Sequence, residues 1–302
     1  MSDSTETPLN PCPIGPDDDE IDRQLKTALQ DLVNGGVEST TAAKIVDNLI
    51  VSDCQRAYEA HSASLRSNNK PKENGEYTET FSKPPGWAGY LWRAIGKAAI
   101  AVPHNHRGQD HLVSFLQELP HLPPRTFQYI SGSGDLVDYT FWEDDRRNDQ
   151  FCQNMRLLDT EYVNFSAFLA RVFARGVVDT TRFCALVTKE FLGLYWPYNK
   201  QAYRSEPYVL AAAQWMTHAG AAMWEMCEKK AYAAKGFNPK WWGWWQARFA
   251  QVAEDDSGFS EQAREASAEA LKQMAVLKED GCAGLSVIEA FGLNVKDWEG
   301  EE

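Results

Sequence analysis

The sequence of 302 residues lacks the features that mark membrane and secreted proteins. No apolar run approaches the ~20 residues that a membrane-spanning helix needs, and no apolar signal segment stands at the N-terminus. The six cysteines are scattered, without a Cys-x-x-Cys pair or a ladder of short spacings. This cysteine usage is typical of reduced thiols, so we expect an intracellular protein, cytoplasmic or nuclear.

The sequence also lacks a surplus of basic residues and the common catalytic motifs. Lys and Arg number 30 against 43 Asp and Glu, a net charge of −13 that opposes binding to nucleic acid or to an anionic membrane. There is no Gly-rich phosphate loop, no Gly-x-Ser-x-Gly turn and no cysteine with a histidine close by in sequence. We therefore predict no catalytic residue and no cofactor, and we favour a non-enzymatic role while leaving an enzyme open.

The sequence is instead rich in apolar patterns of helical period. Hydrophobic residues make up 43% of the chain and aromatic residues 12%, the composition of a folded globular protein. One predicted helix, ended by Gly176, carries the inward set Phe165, Phe168, Leu169, Val172 and Phe173. The patterns predict an all-α fold, a compact bundle or short array of about eight or nine antiparallel helices with no significant sheet.

Composition shifts along the chain predict its organisation. Residues 1–16 are expected to form a flexible tail, and residues 17–280 a helical domain followed by a C-terminal segment, 281–302. A polar stretch at residues 67–83 predicts a mobile loop within that domain. Residues 121–149 combine prolines and glycines with many aromatic residues, which indicates an ordered loop with short extended pieces.

The most informative stretch is Trp241-Trp242-Gly243-Trp244-Trp245, which follows Asn238-Pro239. Asn238 is predicted to cap a helix whose first residue is Pro239. A helical wheel places Trp241, Trp245, Phe249 and Val252 on one buried stripe, with Trp242 and Trp244 on its flanks. Gly243 would allow close approach of a neighbour, and Arg248 could lie over the Trp244 indole. The alternatives are a wedge of core and an aromatic platform for a ligand or partner.

A second aromatic set lies on the alanine-rich helix predicted at residues 211–226. Trp215 and His218 share one side of this helix, and Trp224 continues along it. If these side chains face residues 241–245 across a gap, they form a pocket for an apolar small molecule. The alternative is a tight seam between two helices.

One histidine run suggests a metal site. His104, His106, Asp110 and His111 fall within eight residues and have the donor types that zinc and iron accept. Their spacing departs from the His-x-His-x-Asp-His pattern, and they lie in a predicted turn between helices. The alternative interpretation is therefore that they cap helix ends.

Several stretches in order resemble an ascomycete (fungal) family of uncharacterised helical proteins, catalogued as a domain of unknown function. The matching stretches are TAAKIVDNLI at 41–50, LWRAI at 91–95, AVPH at 101–104, GQDHLV at 108–113, NFSAFLAR at 164–171, AAAQWM at 211–216 and WWGWWQARF at 241–249. The resemblance implies a fungal, intracellular, all-helical protein and brings no catalytic residue. It also favours a structural role for the turn at His104 over a metal site.

Three functions follow as expectations. The leading one is a protein-interaction or scaffold role, because helix faces are aromatic and catalytic motifs are missing. The second is binding of an apolar small molecule between the helices at residues 211–226 and 241–252. The third is a metal-dependent enzyme built on the histidine run.

Overall fold

A computed structural model describes most of the chain. The described residues are 8–66, 84–130, 136–142, 159–189, 191, 202–231, 237–254, 257–280, 286 and 288. The predicted loop at 67–83 and most of the C-terminal segment lie outside them.

The described residues form nine α-helices and one small sheet. The helices are α1 (Glu20–Val33), α2 (Ser39–Arg66), α3 (Pro84–Ala101), α4 (Gly108–Glu118), α5 (Asp159–Ala174), α6 (Thr181–Lys189), α7 (Ala202–Glu228), α8 (Pro239–Ala253) and α9 (Glu261–Asp280). Strands β1 (Arg125–Ile130) and β2 (Leu136–Phe141) pair antiparallel, with Arg125 opposite Phe141. The prediction of an all-α fold with about eight or nine helices and no significant sheet is confirmed, since the described residues are mostly helical and their sheet has only two strands. None of the described helices combines the length and the apolar character that crossing a membrane requires.

The chain divides into two compact units. The first contains residues 1–102, 106–145 and 150–153, and the second contains residues 103–105, 146–149 and 154–302. The first unit holds α1 to α4 and the sheet, with α2 packed against α1 and α4. In the second unit α7 packs against α5 and α9, and α9 also packs against α8. The organisation of residues 17–280 as one domain stays a prediction.

Residues 8–19 precede α1 and make specific contacts, although the sequence places most of them in a flexible tail. The Asn34 side chain accepts from the Leu9 backbone N–H at 2.7 Å and donates to the Leu9 carbonyl at 2.9 Å. Cys12 is buried. Asp19 then caps α1 by accepting from the Asp22 backbone N–H at 2.8 Å.

Three helices end in the same hydrogen-bonded motif. At the ends of α1, α5 and α7, two successive N–H groups donate back to carbonyls of the last turn, and one residue takes a positive φ. That residue is Gly35 in α1, and in α5 it is Gly176, which the sequence predicts as the end of that helix. In α7 it is Lys230, with φ of 53°. Lys230, a residue with a Cβ, therefore adopts a left-handed backbone conformation that favours glycine.

Replacing Lys230 by Gly should stabilise the protein. The substitution relieves the left-handed strain, and we expect the free energy of unfolding to rise by about 1 kcal/mol. Lys230→Ala is the control, since it removes the charge and keeps the Cβ, and it should gain little. Denaturant unfolding followed by circular dichroism measures both. An equal gain from the two variants would show that the charge, and not the backbone, is responsible.

Candidate interaction surface on helix α8

Helix α8 begins where the sequence predicts. Asn238 has extended backbone angles, and its side chain accepts from the Trp241 backbone N–H at 3.1 Å. Pro239 takes the first helical position, where a missing N–H costs nothing. The cap fixes the N-terminal end of the helix.

The buried side of α8 differs from the predicted stripe. Trp242 and Trp245 are each 1% exposed, and Phe249 and Val252 are also buried, whereas Trp241 is only half-buried. The stripe therefore includes Trp242 in place of Trp241. Contacts from outside the helix account for the difference, because the ring of Trp242 lies 5.0 Å from the ring of Trp224 on α7.

Trp215 and Trp224 are both buried on α7 but have different neighbours. The Trp215 ring lies 5.8 Å from Phe173 on α5 and 6.4 Å from Phe183 on α6. Trp224 is the residue that meets α8, whereas His218 is half-buried. The rings of Trp224 and Trp242 are therefore in contact between α7 and α8.

Three buried indoles leave a polar group without a partner. The Nε1–H groups of Trp215, Trp242 and Trp245 have no hydrogen-bond acceptor in the part of the chain that the structure describes. A buried donor without an acceptor costs about 1–3 kcal/mol. These three N–H groups therefore lower the stability of the second unit unless an acceptor satisfies them.

Arg248, which the sequence suggests could lie over the Trp244 indole, is a buried residue. It is 7% exposed and donates to the Gln251 Oε1 at 2.9 Å. Burial lowers the pKa of the Arg248 guanidinium to about 10, because the charged form loses contact with water. Arg248 stays protonated at neutral pH and belongs to the packed side of α8.

The opposite side of α8 is exposed and mostly apolar. Trp244 is 55% exposed, the largest exposed fraction among the large apolar side chains described, and its ring lies 5.4 Å from that of Trp241. We call the outer face of α8 the exposed residues Lys240, Gly243, Trp244, Ala247, Ala250 and Gln251, together with Glu254 at the C-cap. Because Gly243, Ala247 and Ala250 have small side chains, the Trp244 indole projects beyond its neighbours on this face.

Gly243 does not provide the close approach that the sequence suggests. A Cβ added at this position would meet no atom within 4 Å. Replacing Gly243 by Ala should therefore raise the free energy of unfolding by about 1 kcal/mol, since alanine favours helix and nothing obstructs it. Thermal and denaturant unfolding measure the gain. A loss of stability would mean that another surface packs against this position.

The histidines of the candidate metal site have structural roles. In the first unit, the His106 Nδ1 accepts from the Gly108 backbone N–H at 3.0 Å, and the His111 Nδ1 donates to the Leu32 carbonyl at 2.9 Å. In the second unit, the His104 backbone N–H donates to the Asn164 side chain, and burial lowers the pKa of His104. Asp110 lies in the first turn of α4. The described residues contain no group of three or more His, Cys, Asp or Glu side chains placed to hold a metal.

The sequence analysis did not predict two buried carboxylates of the first unit, Asp47 and Asp53. Asp53 accepts from the Trp87 indole at 2.8 Å, and Asp47 accepts from the Trp142 indole at 2.8 Å. Both lie on the buried, apolar side of α2. A charged residue that interrupts an apolar helical pattern is the sequence signal that could have predicted a buried, paired carboxylate. Each carboxylate holds another element against α2, which is a structural function.

Together these features define a mostly helical protein in which one helix, α8, carries an exposed tryptophan. A family model described as "Protein of unknown function (DUF3632)" matches residues 92–249, and the chain belongs to this family. No curated protein and no solved structure matches the chain. The matched range includes Trp241, Trp244 and most of the outer face of α8.

Proposed function

We propose that this protein is a non-enzymatic interaction protein that binds its partner through the outer face of α8. The observation that carries the proposal is the exposed Trp244 indole, supported from one side by Trp241. Tryptophan is enriched among the few residues that dominate binding energy at protein interfaces. Burying the exposed half of an indole is worth about 3 kcal/mol before the costs of association.

The way α8 is anchored supports the same function. Trp242, Trp245 and Phe249 fix one side of the helix in the core, so the other side is presented on a rigid element. A pre-organised surface loses little conformational entropy on binding, which favours affinity. The same stretch of sequence thus supplies both the anchor and the contact.

Replacing Trp244 by Ala should abolish partner binding without unfolding the protein. We expect proteins that co-purify with the wild-type chain to be lost with W244A in quantitative affinity purification. Val276→Ala is the matched control, because Val276 is 52% exposed on α9 of the same unit. Recovery of the same proteins with wild type, W244A and V276A would overturn the proposal.

A second candidate function is binding of an apolar small molecule that carries a hydrogen-bond acceptor. The unpartnered N–H groups of Trp242 and Trp245, whose rings lie 5.8 Å apart, favour it, because an acceptor on a ligand would satisfy such a donor. Native mass spectrometry of protein purified from its own host tests this candidate. A bound mass that is lost in Trp245→Phe, which keeps an aromatic ring and removes the N–H, would support it. A chain mass of 34.0 kDa without any increment would exclude it.

An intracellular location, cytoplasmic or nuclear, is part of the proposal. Cys12, Cys54, Cys184 and Cys227 are free and buried. Burial raises the pKa of each thiol, to about 11 for Cys12 and about 12 for Cys54. Free thiols are common where the compartment is reducing. Cell fractionation tests the location, and recovery of the protein from the secreted fraction would contradict it.

A further inference from the structure

The two ends of the outer face of α8 carry opposite charges. Lys240 lies in the first turn of the helix, Glu254 lies at its C-terminal cap, and both are exposed. Neither forms an ion pair within the described part of the chain. The φ of −67° at Glu254 is still helical, so its Cα–Cβ bond points as it would in a continued helix. Glu254 therefore shares the outer face of α8, although the next peptide leaves the helix.

Lys240, Gly243, Ala247, Ala250 and Glu254 are spaced by three, four, three and four residues. This spacing forms one straight seam along a helix, the pattern by which two helices pack side by side. Ala247 is the midpoint of the seam, seven residues from either charged end. Trp244 borders it on the N-terminal side of that midpoint.

We propose that the occupant of this face is a second copy of the same chain, whose α8 lies antiparallel with Ala247 on the two-fold axis. This inference rests on the proposed function and names its partner. In such a pair Lys240 lies opposite Glu254 of the other copy, and Trp244 lies opposite its Ala250. Symmetry repeats each of these contacts, so the face is complementary to itself in both charge and size.

Other arrangements lose that complementarity. A parallel pair would place Lys240 opposite Lys240 and Glu254 opposite Glu254, so that both ends repel.

Alanines at the centre permit close helix approach, with axes about 8 Å apart. One helix pair buries less than the roughly 800 Å² per partner of a standard interface. The dimer should therefore be weak and form at micromolar concentration.

Charge reversal tests the pairing by sedimentation velocity over a concentration series. Wild type should show reversible dimerisation of its 34.0 kDa chain. K240E and E254K should each weaken it at least about tenfold, because every end contact becomes repulsive. An equimolar mixture of K240E and E254K should dimerise, as should the double variant K240E/E254K, since both restore opposite charges. Circular dichroism should show all variants folded, because both positions are exposed.

The outcomes separate this inference from the proposed function. A wild-type chain that stays monomeric up to about 200 μM overturns the inference. A dimer that is indifferent to both single reversals, or a double variant that fails to recover, overturns it too. Even if self-pairing is overturned, the proposed function stays supported when a protein other than this chain co-purifies with wild type and is lost with W244A.

A disulfide at the axis gives an independent readout. In a C152S/C282S background, Ala247→Cys should crosslink to itself in a second copy on mild oxidation, because residues at a two-fold axis face each other. Ala268→Cys, exposed on α9, is the control and should crosslink slowly. Equal rates for the two positions would contradict pairing through α8.

Discussion

Replacing Trp245 by Ala should lower the free energy of unfolding by about 4 kcal/mol, whereas Trp244→Ala should change it by less than about 0.5 kcal/mol. Trp245 is 1% exposed, and its ring packs edge-on against Phe237 at 6.1 Å and Trp242 at 5.8 Å. Truncation removes that buried area and leaves a cavity. Trp244 has little protein around it to lose.

The two substitutions form a matched pair on one helix. Denaturant unfolding should be followed by far-ultraviolet circular dichroism, since tryptophan fluorescence itself changes when an indole is deleted. If the two compact units unfold separately, only the transition of the second unit should move. Similar losses for Trp245→Ala and Trp244→Ala would contradict the assignment of a buried and an outer side to α8.

Replacing Gly108 by Ala should destabilise the first unit by about 3 kcal/mol. An added Cβ would lie 2.7 Å from the Val33 Cγ1, 2.9 Å from the His106 Nδ1 and 3.0 Å from the Val33 carbonyl oxygen. The carbonyl is backbone and cannot rotate away, so the start of α4 would have to move off the end of α1. The His106–Gly108 hydrogen bond at 3.0 Å would be distorted at the same time.

Gly243→Ala is the control for Gly108→Ala. The substitution is chemically identical, yet one position is crowded and the other is open, so the two stability changes should have opposite signs. Unfolding curves for the two variants and wild type give the comparison directly. A neutral Gly108→Ala would show that α1 and α4 do not meet as described.

The sequence predicts the start of α8 better than its orientation. The Asn238 cap is a local interaction, which is why it could be read from Asn238-Pro239 alone. Four tryptophans within five residues point in several directions around a helix, so no wheel identifies one apolar side. The choice of Trp242 over Trp241 depends on α7, a helix that lies far away in sequence.

Other features were hidden for the same reason. The crowding at Gly108 depends on Val33, 75 residues earlier, and the partners of Asp47 and Asp53 lie 95 and 34 residues away. Lys230 has no sequence signal of a left-handed residue, since glycine is the residue that usually marks one. The outer face of α8 becomes visible only once the buried side is known.

Site-specific photo-crosslinking at position 247, in living cells, tests the central claim most directly. A photoreactive amino acid at this exposed site should crosslink to another polypeptide, and mass spectrometry locates the attachment point. A crosslink to α8 of a second copy is the predicted result, and W244A should abolish it. A crosslink to a different protein would retain the interaction function and reject self-pairing. If the photoreactive group gives no crosslink either at position 247 or at the control position 276 on α9, an interaction surface on α8 is contradicted.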